Sequence, residues 1–272
     1  MHTFIPPDRF LPYLTWQDIE SLPNKQNVVI LQPLGAIEQH GPHLPLIVDA
    51  AIVTGVMGKA LEALTPEIPA YALPTLTYGK SNEHWHFPGT LTLSATTLLQ
   101  TLMEVGESVY RAGFRKLVFV NGHGGQPQVV DIAARDLHQR FSDFQVFPHF
   151  VWNALPPNAF SPWLSPQESQ DGIHAGDAET SLMLALLPDR VKFDRAVAEY
   201  PPALNDYPSL SWEGARPIAW MTRDLSQTGT IGNPTTASVV KGQQMLAALA
   251  AAWAKILKEI YAFQFPDTSP NS

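Results

Sequence analysis

The chain has 272 residues, enough to bury an α/β core without a covalent staple, and it contains no cysteine. Disulfides and thiolate chemistry are excluded, and any metal must be held by nitrogen and oxygen donors. A net charge of -8 with no basic stripe argues against a nucleic-acid partner, and no apolar stretch approaches the length of a membrane span.

The first residues, Met1 to Pro7, lack the basic and apolar regions of a signal peptide, so a cytoplasmic location is expected. Residues 27–34 (NVVILQPL) read as a buried strand closed by proline and glycine. Residues 49–64 carry apolar side chains at helical spacing, and 71–77 is a second strand. Residues 94–112 read as a helix with Ser94 as N-cap and Gly113 as its stop. A short strand at 116–120 (KLVFV), a helix at 127–141 and a strand at 144–152 follow. An apolar helix at 177–187 is stopped by Pro188, and an Ala-rich helix spans 235–263. Two long, proline-rich segments, 156–171 and 201–230, show little periodicity, as expected of loops that cover a site or an interface. One domain is expected over 1–265, with a disordered tail at 266–272.

Strands alternating with helices imply βαβ units, a mostly parallel sheet and helices on both faces. In such sheets ligands sit beyond the carboxyl ends of the strands. The polar clusters mostly fall there. Glu38-Gln39-His40 follows the first strand; in an extended segment Glu38 and His40 point the same way, and a Gly41-Pro42 turn can return Asp49 to them. Carboxylate with imidazole is the donor set of catalytic Zn, Mn or Fe. Asn121-Gly122-His123-Gly124-Gly125-Gln126 follows the 116–120 strand and makes His123 a candidate ligand, with a structural turn histidine as the plain alternative. A phosphate-binding loop is the rival there, but the segment lacks the Gly-Lys-Ser/Thr ending. His174-Ala175-Gly176-Asp177-Ala178-Glu179 opens a helix. Acidic residues in a first turn are favoured by the helix dipole alone, whereas the sharper reading has Glu179 turned towards the metals with His174 beside them. Ser81, Glu83 and His84 form a fourth polar stretch, suited to binding substrate or supporting ligands. Trp85, Trp152, Trp163 and Trp212 offer flat surfaces for a ring substrate or for packing.

In this order the motifs resemble the creatininase (creatinine amidohydrolase) family. The resemblance rests on Glu38-Gln39-His40-Gly41-Pro42-His43-Leu44-Pro45 with Asp49, Glu83-His84 with Phe87-Pro88-Gly89-Thr90, Asn121 to Gly125, His174-Ala175-Gly176 with Glu179-Thr180-Ser181, and Gly229 to Pro234. It implies a three-layer α/β/α sandwich and two divalent metal ions per chain, Zn and/or Mn with Fe as a further option. It also implies ligands at Glu38, His40, Asp49 and His123, with Asp49 bridging, and homo-oligomers, often hexamers. The reaction implied is hydrolysis of a C–N bond in a small cyclic or linear amide, of creatinine or formamide type, by a hydroxide held between the ions. Creatininase itself carries Tyr and Glu after the motif histidine, and that Glu ligates a metal. Here Gly124 and Gly125 stand instead. Glu179 is therefore expected to be the fifth ligand, His174 the proton shuttle, and Ser81, Glu83, His84 and Gly124 the substrate contacts. The alternative is a catalytically inactive metal-containing scaffold of the same fold.

Overall fold

In a computed structural model describing residues 2–266, the chain order is α1 (Trp16–Ser21), β1 (Val29–Leu34), α2 (Val48–Glu62), β2 (Ala70–Ala72), α3 (Ala95–Arg111), β3 (Lys116–Asn121), α4 (Pro127–Arg140), β4 (Gln145–Phe150), α5 (Pro166–Asp171), α6 (Asp177–Leu186), α7 (Thr222–Leu225) and α8 (Val239–Ala262). The strands form one parallel sheet in the order β2-β1-β3-β4. Alternate residues of the central strands feed opposite faces. Val29, Leu31, Val118 and Val120 pack against α2, α6 and α8, while Ile30, Leu117 and Phe119 pack against α3 and α4. The result is the expected three-layer α/β/α sandwich. Each fully buried Leu or Ile in these layers contributes roughly 1.5–3 kcal/mol.

Ser94 caps α3 by accepting from Thr97 N at 3.1 Å, as its sequence position suggests. Four elements depart from their expected bounds. β2 is only three residues long because Leu73 N makes the last regular bond, to Leu31 O, and Pro33 of β1 has no N–H to return to Leu73 O; Leu76 N then bonds Pro33 O out of step, and the Gln32 side-chain amide donates to Pro74 O and Pro33 O. β4 ends at Phe150, where a 3-10 turn over Val151–Ala154 begins. α8 starts at Val239: Ser238 caps it by accepting from Lys241 N, and Pro234–Thr236 forms a separate 3-10 turn. The segment 156–171 contains α5, capped by Ser165. The expected disordered tail lies, beyond Pro266, outside the described residues.

At its far end α8 is tied to the central sheet. Lys116 Nζ, buried in β3, donates to the carbonyls of Ile260 (2.9 Å), Tyr261 (2.6 Å) and Phe263 (2.8 Å), so a cation sits on the negative end of the helix. What positions the site is the β1–β3 register. Leu34 pairs with Asn121, so the loops carrying Glu38–His40 and His123 leave neighbouring strand ends on the carboxyl edge. Among the described residues no helix is long and apolar enough to cross a membrane.

Candidate metal centre

Each polar side chain is delivered by local structure that its sequence dictates. After β1 the chain runs extended through Glu38 and turns at Gly41, whose φ of 66° favours glycine and whose missing Cβ would collide with Thr230 Oγ1. The loop closes with Glu38 N donating to Leu46 O at 3.0 Å, which returns the chain to α2 and puts Asp49 in its first turn. His123 sits in a turn held by Asn121: His123 N donates to Asn121 Oδ1 (3.1 Å), and Asn121 Nδ2 donates to His123 O (2.8 Å). Glu179 lies in the first turn of α6. Its Oε2 accepts from Ala175 N at 2.6 Å, a bond made by a residue in the left-handed region (φ 55°). Such strain outside glycine costs about 1–3 kcal/mol and collects at functional sites.

These elements bring Glu38, His40, Asp49, His123, His174 and Glu179 together, with all but Glu179 buried. His40 Nε2 lies 3.4 Å from Asp49 Oδ1, 3.7 Å from Glu38 Oε1 and 3.8 Å from Glu179 Oε1. His123 Nδ1 lies 3.1 Å from Glu38 Oε2 and 3.2 Å from Asp49 Oδ2. The opposite ring nitrogens are already engaged. His40 Nδ1 donates to Glu38 O (3.2 Å), His123 Nε2 to Lys80 O (2.9 Å) and His174 Nε2 to Gln39 O (2.7 Å). Each imidazole therefore points its other nitrogen inward, where the neutral ring would offer a lone pair, the arrangement by which outer hydrogen bonds fix a ligating histidine.

The electrostatics follow. Burial disfavours charge on His40, yet Asp49, Glu179 and Glu38 outweigh it and hold the ring up at about 9. Burial pushes Glu179 up to about 7 against the pull of His40, and raises Glu38 as well. Asp49 is driven well below the usual carboxylate range, because His40 and His123 overcome its burial. His123 is raised well above its usual value: Glu38, Asp49 and Glu83 prevail over burial. Burial, reinforced by neighbouring imidazoles, depresses His84 and His174 far below theirs, so both are neutral near pH 7.

The donors suit divalent ions. His40 Nε2 and Asp49 Oδ2 are buried without a hydrogen-bond partner. Among the described residues no lysine or arginine forms an ion pair with Glu38, Asp49 or Glu179. Three clustered carboxylates without such a cation are costly unless something else neutralises them. Glu38-His40-His174, Glu38-Glu83-His123 and His40-Asp49-Glu179 each present donor atoms within 4.8 Å of one another.

The fourth stretch also reaches the cluster. Ser81 Oγ donates to Glu38 Oε2, His84 Nε2 lies 3.4 Å from Glu38 Oε1, and Glu83 Oε1 lies 3.2 Å from His123 Nε2. Gly124 borders open space. Trp152 and Trp163 pack around Phe160 against the core, and Trp212 Nε1 donates to Pro202 O within its own loop. Trp85 is exposed.

Sequence reasoning assigned no role to three residues that organise the site. Gln39 donates to His84 Nδ1 (2.8 Å) and Gly229 O (3.1 Å) while its Oε1 accepts from Gly41 N (2.9 Å). Thr222, buried in the 201–230 segment, donates to Glu83 O at 2.9 Å. Glu168, buried in α5, accepts from Asp177 N (2.7 Å), Asn233 N (2.7 Å) and Tyr200 OH (3.0 Å), and so clamps the turn before α6. The position of Gln39 between Glu38 and His40 was the only available signal.

Comparison with known proteins places the chain in a family. The creatininase family model, described as creatinine amidohydrolase, matches residues 12–257. Creatinine amidohydrolase of Pseudomonas putida is 33% identical over 271 residues, covering 95% of this chain and 98% of its own. A mycofactocin precursor peptide peptidase of Mycobacterium ulcerans (strain Agy99) is 36% identical over 225 residues, 80% of each chain. A solved structure of creatininase in a Mn form superposes with a TM-score of 0.76 at 30% identity, covering 93% of this chain and 98% of that one. Matched by that model over nearly its whole length, the chain belongs to the creatininase family and is a hydrolase.

Proposed function

We propose that the protein is a metal-dependent amidohydrolase that cleaves a C–N bond of a small cyclic or linear amide, of creatinine or formamide type, using two divalent ions per chain, Zn and/or Mn. The observation that carries the reading is the convergence of three carboxylates and two inward-facing imidazole nitrogens with no lysine or arginine among their ion pairs. Asp49 is suited to bridge, since Oδ1 faces His40 and Oδ2 faces His123. Glu38 and His123 would complete one position, His40 and Glu179 the other. Bound there, such ions supply a Lewis acid for the amide carbonyl and an acidified water as nucleophile.

The protein's own groups do the rest. His174 is anchored by Nε2–H on Gln39 O with its Nδ1 3.8 Å from Glu38 Oε1, which places an acceptor nitrogen beside the carboxylates; its depressed value makes a proton taken up there easy to surrender to the leaving nitrogen. Ser81 donates to Glu38 and helps hold its carboxylate in place, with His84 Nε2 3.4 Å from the other oxygen. The open space at Gly124 leaves room for substrate where a larger side chain would intrude. Assembly into homo-oligomers belongs to the same reading and is checked by light scattering.

The test is to load the protein with Zn or Mn and offer creatinine, a formamide panel and short peptide amides, reading the gain of one water by mass spectrometry. The peptide arm is included because the M. ulcerans relative is named as a peptidase. Chelator-sensitive hydrolysis of a small amide is expected. Hydrolysis indifferent to chelation would overturn the reading, and an inert, metal-loaded protein would favour the scaffold alternative.

A further inference from the structure

Position 125 carries glycine for a steric reason. A Cβ built there would collide with Glu83 Oε1 and come within 2.5 Å of His123 Nε2. The space in which a side chain at 125 would begin is thus filled by a carboxylate that arrives from a different loop, the one after β2.

We propose that Glu83 is the positioning residue for His123, holding the outer side of its ring so that Nδ1 faces the metal, and that Gly125 exists to admit it. This rests on the metal-site reading above. Glu83 is buried, with Oε1 at 3.2 Å from His123 Nε2 and Oε2 accepting from Lys80 Nζ at 3.2 Å. Its backbone is pinned by Thr222 Oγ1, which donates to Glu83 O. On the other side of the same ring, Nδ1 lies 3.1 Å from Glu38 and 3.2 Å from Asp49. Direct ligation by Glu83 is the competing arrangement, since Glu38, Glu83 and His123 each offer a donor within 4.8 Å of the others. The ring decides between them. Nε2–H donates to Lys80 O, with Glu83 Oε1 3.2 Å away on the same side, so the neutral, metal-binding form of His123 has its lone pair on Nδ1, away from Glu83. A carboxylate on the outer nitrogen of a ligating imidazole fixes its tautomer and raises its basicity, and loss of such a partner weakens metal binding about 10–100-fold.

The experiment compares wild type with Glu83→Ala, Glu83→Gln and Gly125→Ala. Metal equivalents and affinity are read by chelator competition. The His123 ring nitrogens are read by 15N NMR in metal-free protein. Glu83→Ala is expected to bind as many equivalents as wild type at saturation, with affinity lower by about 10–100-fold. Glu83→Gln, which keeps the acceptor oxygen, should fall between the two. Gly125→Ala should reproduce the loss by pushing Glu83 aside. Both alanine variants should shift the Nε2 resonance. Loss of a whole metal equivalent in Glu83→Ala would make Glu83 a ligand and overturn the proposal. Wild-type affinity together with an unmoved resonance would also overturn it. A wild type that takes up no metal would sink the function proposed above, while the resonance would still decide the role of Glu83.

Discussion

Loading the site with metal should expel protons, and the amount can be worked out. In the metal-free protein His40 keeps its proton up to about 9 and Glu179 up to about 7. Both must be unprotonated to donate to an ion, so affinity rises with pH through both values. At pH 7 a ring with that value is neutral about one time in a hundred, which costs binding about 2.7 kcal/mol. At about pH 6 the factor for His40 is roughly a thousand and Glu179 adds roughly ten, whereas at about pH 8 only the His40 factor of roughly ten remains. Apparent affinity should therefore fall about a thousandfold from pH 8 to pH 6, and further if His123, also raised, contributes. Calorimetric titration with Mn in buffers of different ionisation heat measures the protons directly. At least about one per chain should be released near pH 8 and about two near pH 6. Affinity that is flat over this range, or binding without proton release, would refute the argument that His40 is a ligand charged in the metal-free state.

Three further outcomes are expected. His174→Ala should lower turnover about 10²–10⁴-fold with metal content intact, since this ring transfers protons; loss of metal on the same change, read by elemental analysis, would make it a ligand. Gln39→Leu removes the donor that His84 Nδ1 receives and the bond to Gly229 O. It should lower kcat in steady-state assays while leaving two equivalents of metal bound, and unchanged kcat would exclude Gln39 as an organiser of the proton-transfer side. Lys116→Met strips three helix-end carbonyls of their donor and should cost about 2–3 kcal/mol in urea unfolding. The residue is distant in the fold from the carboxyl edge, so activity below the transition should be unaffected.

Much of the site was legible because parallel sheets deliver it from strand ends. Glu38, His40 and His123 follow β1 and β3 directly, and helical spacing after a Gly-Pro turn was enough to bring Asp49 back. Helix caps were also readable: Ser94 and Pro188 bound their helices where local chemistry says they should. What escaped was contact between segments remote in sequence. Gln39 meets Gly229 and His174, Thr222 meets Glu83, and Glu168 meets Asn233, and no local pattern encodes these pairs. The length of β2 was misjudged because an apolar run says nothing of the hydrogen bond that Pro33, in the neighbouring strand, cannot donate. Gly125 read as the loss of a ligand, whereas the packing shows a carboxylate entering the vacated space.

Metal stoichiometry tests the whole construction most directly. Protein reconstituted with Zn or Mn and freed of excess ion should retain about two equivalents per chain, and Glu38→Ala, Asp49→Ala and His123→Ala should each retain fewer while staying folded. A wild type that holds none, or alanine variants that hold as much as wild type, would contradict it.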